Sequence, residues 1–222
     1  MSTYVLMKIL ESAPSRYDRG ISILTFGRLN KVYDYLVSYI KKDEHVLDIG
    51  CGTGALTLKA AQKGALVKAI DINPQMLEIA AQRVKQLEVS ENVTLDEKGA
   101  AELGSEESNF YNAVTSGLCF SELTEDEQIY TLKEIMRLSK PGGFLLIADE
   151  VKPKNPFKKF IVRLLRILLV LITYLITQTT TQAVKNLHEK INNAGFNILS
   201  INKSRLDNFV WIVAQKPVSD MQ

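Results

Sequence analysis

The string Val46-Leu-Asp-Ile-Gly-Cys-Gly-Thr-Gly54 constrains this chain more than any other feature. An apolar strand (45–50) ends in a glycine-rich turn and hands over to a helix of about Ala55 to Lys63. Such a turn lets backbone amides at a helix N-terminus approach a ligand closely. The pattern then alternates. A strand at 66–71 precedes a helix that Asn73 caps and Pro74 opens, since Pro at the first helical position gives up an amide without a partner. That helix runs to about Glu88, with Met76, Leu77, Ile79 and Ala80 inward. Strands follow at 93–97 and 112–117, and Thr124-x-x-Glu127 is a capping box for the next helix. Lys140-Pro-Gly-Gly143 is expected to end it, ahead of a strand at 144–149 that is apolar on both faces.

Strand–helix alternation of this kind predicts an α/β fold, a doubly wound parallel sheet. The C-terminal part departs from it. A helix over about 180–194 stops at Gly195, and strands at 197–201 and 209–215 follow with only a short link between them. Strands joined that closely must pair antiparallel, because a parallel return needs a dozen or more residues. With 222 residues, the chain fits one domain, preceded by a helical lead-in over 1–40.

The glycine turn alone leaves two ligands open. Gly50-x-Gly52-x-x-Ala55 satisfies the loose dinucleotide fingerprint, and Asp71 stands 21 residues after Gly50, where a ribose-binding acid belongs. Against a dinucleotide stands Asp48, a charge inside the strand end that needs a partner such as a ligand ammonium or the loop's amides. The antiparallel pair in place of a second substrate domain argues the same way.

The whole string LDIGCGTG resembles motif I of the class I S-adenosylmethionine (SAM) methyltransferases, and the resemblance covers about residues 15–216. It implies a Rossmann-like seven-stranded sheet with an antiparallel last strand. It also implies SAM as cofactor, with Gly50, Cys51, Gly52 and Gly54 along its methionine moiety and Asp48 holding the loop and the amino group. Asp71 would accept from both ribose hydroxyls, and Ile72 and Met76 would lie against adenine. Relatives often carry an Asp after the third strand. Here Gly99 stands near that place, which leaves Ala100, Ala101 or Glu102 to read the adenine amine. After the fourth strand, Gly117 and Leu118 would touch the cofactor. Cys119, Glu122 and Glu150 are candidates near the acceptor, with a buried inert thiol the commoner fate of such a cysteine. The two glutamates fall at loop positions on the sheet's C-terminal side, where ligands of α/β folds bind.

The lead-in Ser15-Arg-Tyr-Asp-Arg19 is similar to that of quinone-biosynthesis methyltransferases, which makes Tyr17 a lid residue over the SAM carboxylate. The strings ESAPSRYDRGI, KGAAEL, TSGLCFSEL and IADEV also resemble a subgroup associated with corrinoid proteins. No metal-ligand spacing, Ser-His-Asp set or N-P-P-Y string is present, and a nucleic-acid substrate is not expected. Two cysteines and no signal-type apolar core predict a cytoplasmic protein.

One segment needs its own explanation. Between Val151 and His188 lie seven of the chain's 27 basic residues and none of its 25 acidic ones. Within this basic, apolar insertion (152–180), Asn155-Pro156 reads as another cap, and the run 157–177 would make a helix of roughly 30 Å. Lys159, Arg163 and Arg166 form a basic stripe on its first half. The apolar run after Arg166 falls short of the roughly 20 residues that a membrane span needs. Three readings stand: a lid over the acceptor, a helix at an anionic membrane surface, or a docking surface for a partner such as a corrinoid protein. The chain is therefore expected to methylate an apolar small-molecule or protein-borne acceptor. The rival is a SAM-binding subunit that docks without turnover.

Overall fold

The computed structural model describes residues 28–152 and 183–218. The expectations for the lead-in before Arg28, for Tyr17 and for the run 157–177 lie outside the described residues. In chain order the elements are α1 (Arg28–Val37), β1 (His45–Ile49), α2 (Ala55–Gln62), β2 (Leu66–Asp71), α3 (Pro74–Gln86), β3 (Val93–Glu97) and β4 (Tyr111–Gly117). They continue with α4 (Glu125–Leu138), β5 (Ser139–Glu150), α5 (Leu187–Asn193), β6 (Asn197–Lys203) and β7 (Phe209–Gln215).

The seven strands form one sheet in the order β3-β2-β1-β4-β5-β7-β6. β1 to β5 run parallel, and β7 lies antiparallel between β5 and β6. The short link between β6 and β7 is a hairpin loop, closed by the Ser204 amide donating to the Phe209 carbonyl at 2.9 Å. This is the doubly wound sheet that the alternation implied, with the antiparallel end that the short link implied, and it is the Rossmann-like arrangement expected from the resemblance.

Successive strand residues point to opposite faces, and both faces are covered. Val46, Val67, Ala69, Ala113, Leu146 and Ala148 pack with α1 and α2, through Leu36, Leu56 and Ala60. Leu47, Ile49, Ile70, Val114, Leu145 and Ile147 pack instead with α4 and α5, through Leu132, Ile135, Leu187 and Ile191. Strands that are apolar on both sides therefore sit in the sheet's centre, and their C-terminal ends open onto one rim.

Helix starts follow local chemistry. Asn73 Oδ1 accepts from the amides of Gln75 (3.0 Å) and Met76 (3.4 Å), and Thr124 and Glu127 form the expected reciprocal box. Two boundaries differ from expectation. Lys140-Pro-Gly-Gly143 is not a loop: β5 begins at Ser139, opposite Tyr111, and a register shift absorbs the irregularity. Gly142 takes φ +78° there, and its amide donates to the Lys216 carbonyl, so the glycine bends the strand without ending it. The last helix begins at Leu187, and not near 180. Val184 makes a parallel bridge to Val151, and its amide donates to the Glu150 carbonyl, which holds the chain extended beside β5.

Candidate cofactor and acceptor site

The rim is built where β1, β2, β4 and β5 end. Asp48 is 1% exposed, on β1 beside Thr115 of β4. Its oxygens accept from Thr57 Oγ1 at 2.6 Å and Thr115 Oγ1 at 2.7 Å. Burial lifts this carboxyl to about 6, held back by the two threonine hydroxyls and the Thr57 amide. The partners anticipated from sequence were a ligand ammonium or the loop's amides. The structure adds two hydroxyls, which tie the strand end to α2 and to β4.

Asp71 closes β2 and is half-buried. It accepts from the Gly52 amide at 2.7 Å and the Asn73 amide at 2.8 Å, so one carboxylate joins the glycine turn to the start of α3. A carboxylate has acceptor capacity beyond two amides, as a vicinal diol would require. The Cys51 amide donates to Ile70, fastening the turn to β2 from its other side. Gly54, at φ +83°, is the cap residue of α2, and a side chain there would press on Ala80.

Among the described residues, the turn is open over Gly52. A Cβ built there meets none of the described residues within 4 Å, whereas one on Gly50 would lie 2.5 Å from Cys119 Sγ. Beside Asp71, Ile72 is 72% exposed, an apolar side chain left on an open rim. Met76 of α3 is buried. Gly99 faces Ile72, where a Cβ would come within 3.1 Å of Cγ2, and its amide donates to Glu102 Oε1 at 2.8 Å. Glu102 thus caps its own turn (Ala100–Ser105), with Ala100 half-buried and Ala101 exposed. An open cradle, a diol-capable carboxylate and an exposed apolar neighbour fit a nucleoside with a charged tail.

On the acceptor side, Gly117 ends β4 and Leu118 adopts φ +63°, an uncommon conformation for a residue with a Cβ. Its amide donates to the Ala148 carbonyl at 2.8 Å. Cys119 is half-buried against Gly50. Burial, with the negative fields of Glu122, Asp149 and Asp71, pushes its thiol well above the ordinary range. Cys51 is raised likewise by burial. Neither thiol is set up as a thiolate. Glu122 is exposed just beyond Cys119. Glu150 is not on a loop: it is the last residue of β5, paired with Phe209 and buried. The two histidines are elsewhere, His45 stacked on Phe110 at the opposite end of β1 and His188 on α5. Among the described residues no cluster could hold a metal ion.

Two site residues were not singled out from sequence. Tyr33 of α1 is buried, and its hydroxyl lies where a Gly117 Cβ would be. The apolar spacing 29, 32, 33, 36, 37 marks it only as core. Asp149 is fully buried and accepts from the amides of Ser121 (3.2 Å) and Glu150 (2.7 Å). Its burial raises the carboxyl to about 7, against those amides. A charge in an otherwise apolar strand was its only signal.

Residues 46–143 match the methyltransferase domain family. The ubiquinone/menaquinone biosynthesis C-methyltransferase UbiE of Photorhabdus laumondii is 29% identical over 155 residues, 67% of this chain and 60% of that protein. The demethylmenaquinone methyltransferase of Symbiobacterium thermophilum is 29% identical over 158 residues, 69% of this chain and 62% of that protein. The chain thus spans about 60% of the length of these relatives. A putative sarcosine dimethylglycine methyltransferase from Galdieria sulphuraria has the same fold, with a TM-score of 0.66 over 86% of each chain at 14% identity. Over residues 46–143 the chain is thus similar to the methyltransferase domain family, and its fold is that of a methyltransferase of known structure.

Proposed function

We propose that the protein transfers the methyl group of SAM to an apolar small molecule of the reduced-quinone kind. The observation that carries this reading is the meeting of two walls at Gly50 and Cys119: the glycine cradle for the donor and the β4 rim for the acceptor. The names of the relatives support the acceptor class.

SAM brings an electrophilic methyl on a sulfonium, which leaves as a neutral thioether. The chain's residues have to position two reactants and exclude water, chiefly a proximity effect. Gly50 to Gly54 would line the methionine part, Asp71 the ribose and Ile72 the adenine. Carbon methylation forms a C–C bond, breaks the S–C bond and releases one ring proton. Glu150 at the end of β5 and Glu122 on the rim are the candidate acceptors of that proton. Tyr17, placed by resemblance, would close the cradle from the lead-in.

The basic and apolar run 157–177 suits an acceptor dissolved in a membrane. We place the protein at an anionic membrane surface through Lys158, Lys159, Arg163 and Arg166. The deciding experiment supplies methyl-labelled SAM with demethylated prenyl naphthoquinol, kept reduced. Label in the quinol carbon skeleton and release of S-adenosylhomocysteine are expected. Release with small polar amines but not with the quinol would overturn the acceptor class. Binding of SAM without release on any acceptor would favour a non-catalytic SAM-binding subunit.

A further inference from the structure

Just after β4, the chain leaves the sheet as a loop, residues 118–123, that forms the acceptor rim. Several ties hold it. Leu118 donates to Ala148 at 2.8 Å, and Ser121 donates to the buried Asp149 at 3.2 Å. Phe120 is fully buried in the core beneath. A further polar tie comes from outside the rim. Gln128 lies on α4 and is 4% exposed, and its Nε2 donates to the carbonyls of Phe120 (2.9 Å) and Leu123 (3.0 Å). Its Oε1 accepts from Lys190 Nζ of α5 at 2.8 Å, which fixes which end of the amide faces the loop. Lys190 is itself paired with Glu125 at 3.0 Å.

We propose that Gln128 is a positioning residue that holds the rim loop in register, keeping Cys119 against Gly50 so that acceptor and donor walls meet. The geometry requires such a holder. Leu118 sits in the left-handed region, a conformation that persists only where surrounding contacts over-determine it. The Cys119 thiol fills the space a Gly50 side chain would take, so a shift of the loop opens the seam between the two walls. Gln128 lies outside the rim and meets it through two of its backbone carbonyls, and Lys190 carries the restraint on to α5. The proposal rests on the methyl-transfer reading for its purpose, but not for its test.

The test is pulse alkylation with iodoacetamide, mapped by mass spectrometry to Cys119 and Cys51 in the full chain. Gln128→Ala removes both donors and the acceptor. Gln128→Glu keeps the partner of Lys190, and at neutral pH an ionised carboxylate there has no proton to donate. Both variants are expected to alkylate Cys119 faster by about tenfold, the scale of one or two lost hydrogen bonds. The buried Cys51 keeps its wild-type rate. Lys190→Met, which leaves the Gln128 amide in place, is expected to give a smaller rise at Cys119 alone, and it stands in if the Gln128 variants do not fold. A wild-type Cys119 rate in folded Gln128→Glu overturns the proposal. So does a parallel rise at both cysteines, which would mean general loosening and a merely structural glutamine. With an acceptor in hand, Gln128→Glu is expected to raise its KM while SAM affinity stays unchanged. Because alkylation needs no turnover, failure of the methyl-transfer reading leaves this result standing.

Discussion

The thiol of Cys119 occupies the place where a side chain at position 50 would go: a Cβ on Gly50 would lie 2.5 Å from Sγ and 2.6 Å from Cys119 Cβ. Gly50 also takes φ +66°. Gly50→Ala therefore meets two penalties, steric overlap and a left-handed backbone that costs an L-residue about 1–2 kcal/mol. The variant is expected to lose at least that much stability in urea titrations and to lose SAM binding. Combining it with Cys119→Gly should relieve the overlap and leave the backbone cost. Full recovery of stability in the double variant would contradict the left-handed geometry.

The acid limb of stability carries contributions of opposite sign. Glu106 sits with Lys68, Lys98 and Tyr111. Burial raises its carboxyl, but hydrogen bonds from Lys98, Lys68 and Tyr111 outweigh that and hold it at about 2. A folded pKa below the unfolded one stabilises above pH ~4.5, and that contribution is lost as pH falls towards 2. Asp149, raised by burial to about 7, works the other way. Its contribution is complete below pH ~4 and declines as pH rises to 7. Urea midpoints of Glu106→Gln should fall less steeply below pH 4.5 than wild type. Those of Asp149→Asn should fall less steeply between pH 4 and 7. Unaltered slopes would contradict these assignments.

The segment 157–177 makes a separate prediction from its sequence. Each of Lys158, Lys159, Arg163 and Arg166 is expected to contribute about 1 kcal/mol at an anionic surface, so binding should be reversible. Among the described residues no helix is long and apolar enough to cross a membrane. Co-sedimentation with phosphatidylglycerol vesicles is expected at low salt and release at high salt. No binding at low salt would leave the lid over the acceptor as the better reading, and binding that survives carbonate extraction would indicate insertion.

Much of this was legible in the residues. Period-two and period-3.6 patterns, with the Asn73 and Thr124 caps, placed the strands and most helix starts, because those signals are local. Pro and Gly at Lys140–Gly143 rightly marked a helix end, which falls at Leu138, but pairing of Ser139 with Tyr111 and of Gly142 with Lys216 made the stretch strand, where a loop was expected. Pairing between distant residues leaves no local trace. The same holds for Asp48: its buried charge signalled a need for partners, but Thr115 lies 67 residues away and nothing in the spacing named it. Tyr33 was hidden by its helix periodicity, which is identical for core and site. Gln128 had no signal at all, since its role exists only through the backbone of another element.

The measurement closest to the heart of the account is a calorimetric titration of the full chain with SAM, alongside Asp71→Ala and Gly52→Val. One SAM per chain is expected for the wild type. Asp71→Ala should weaken binding by about 1.5–3 kcal/mol for each charged hydrogen bond lost. Gly52→Val should abolish binding, because its side chain would enter the open space over the turn. Unchanged SAM affinity in both folded variants, or tight binding of NAD in place of SAM, would contradict the cradle assigned to Gly50–Gly54 and Asp71.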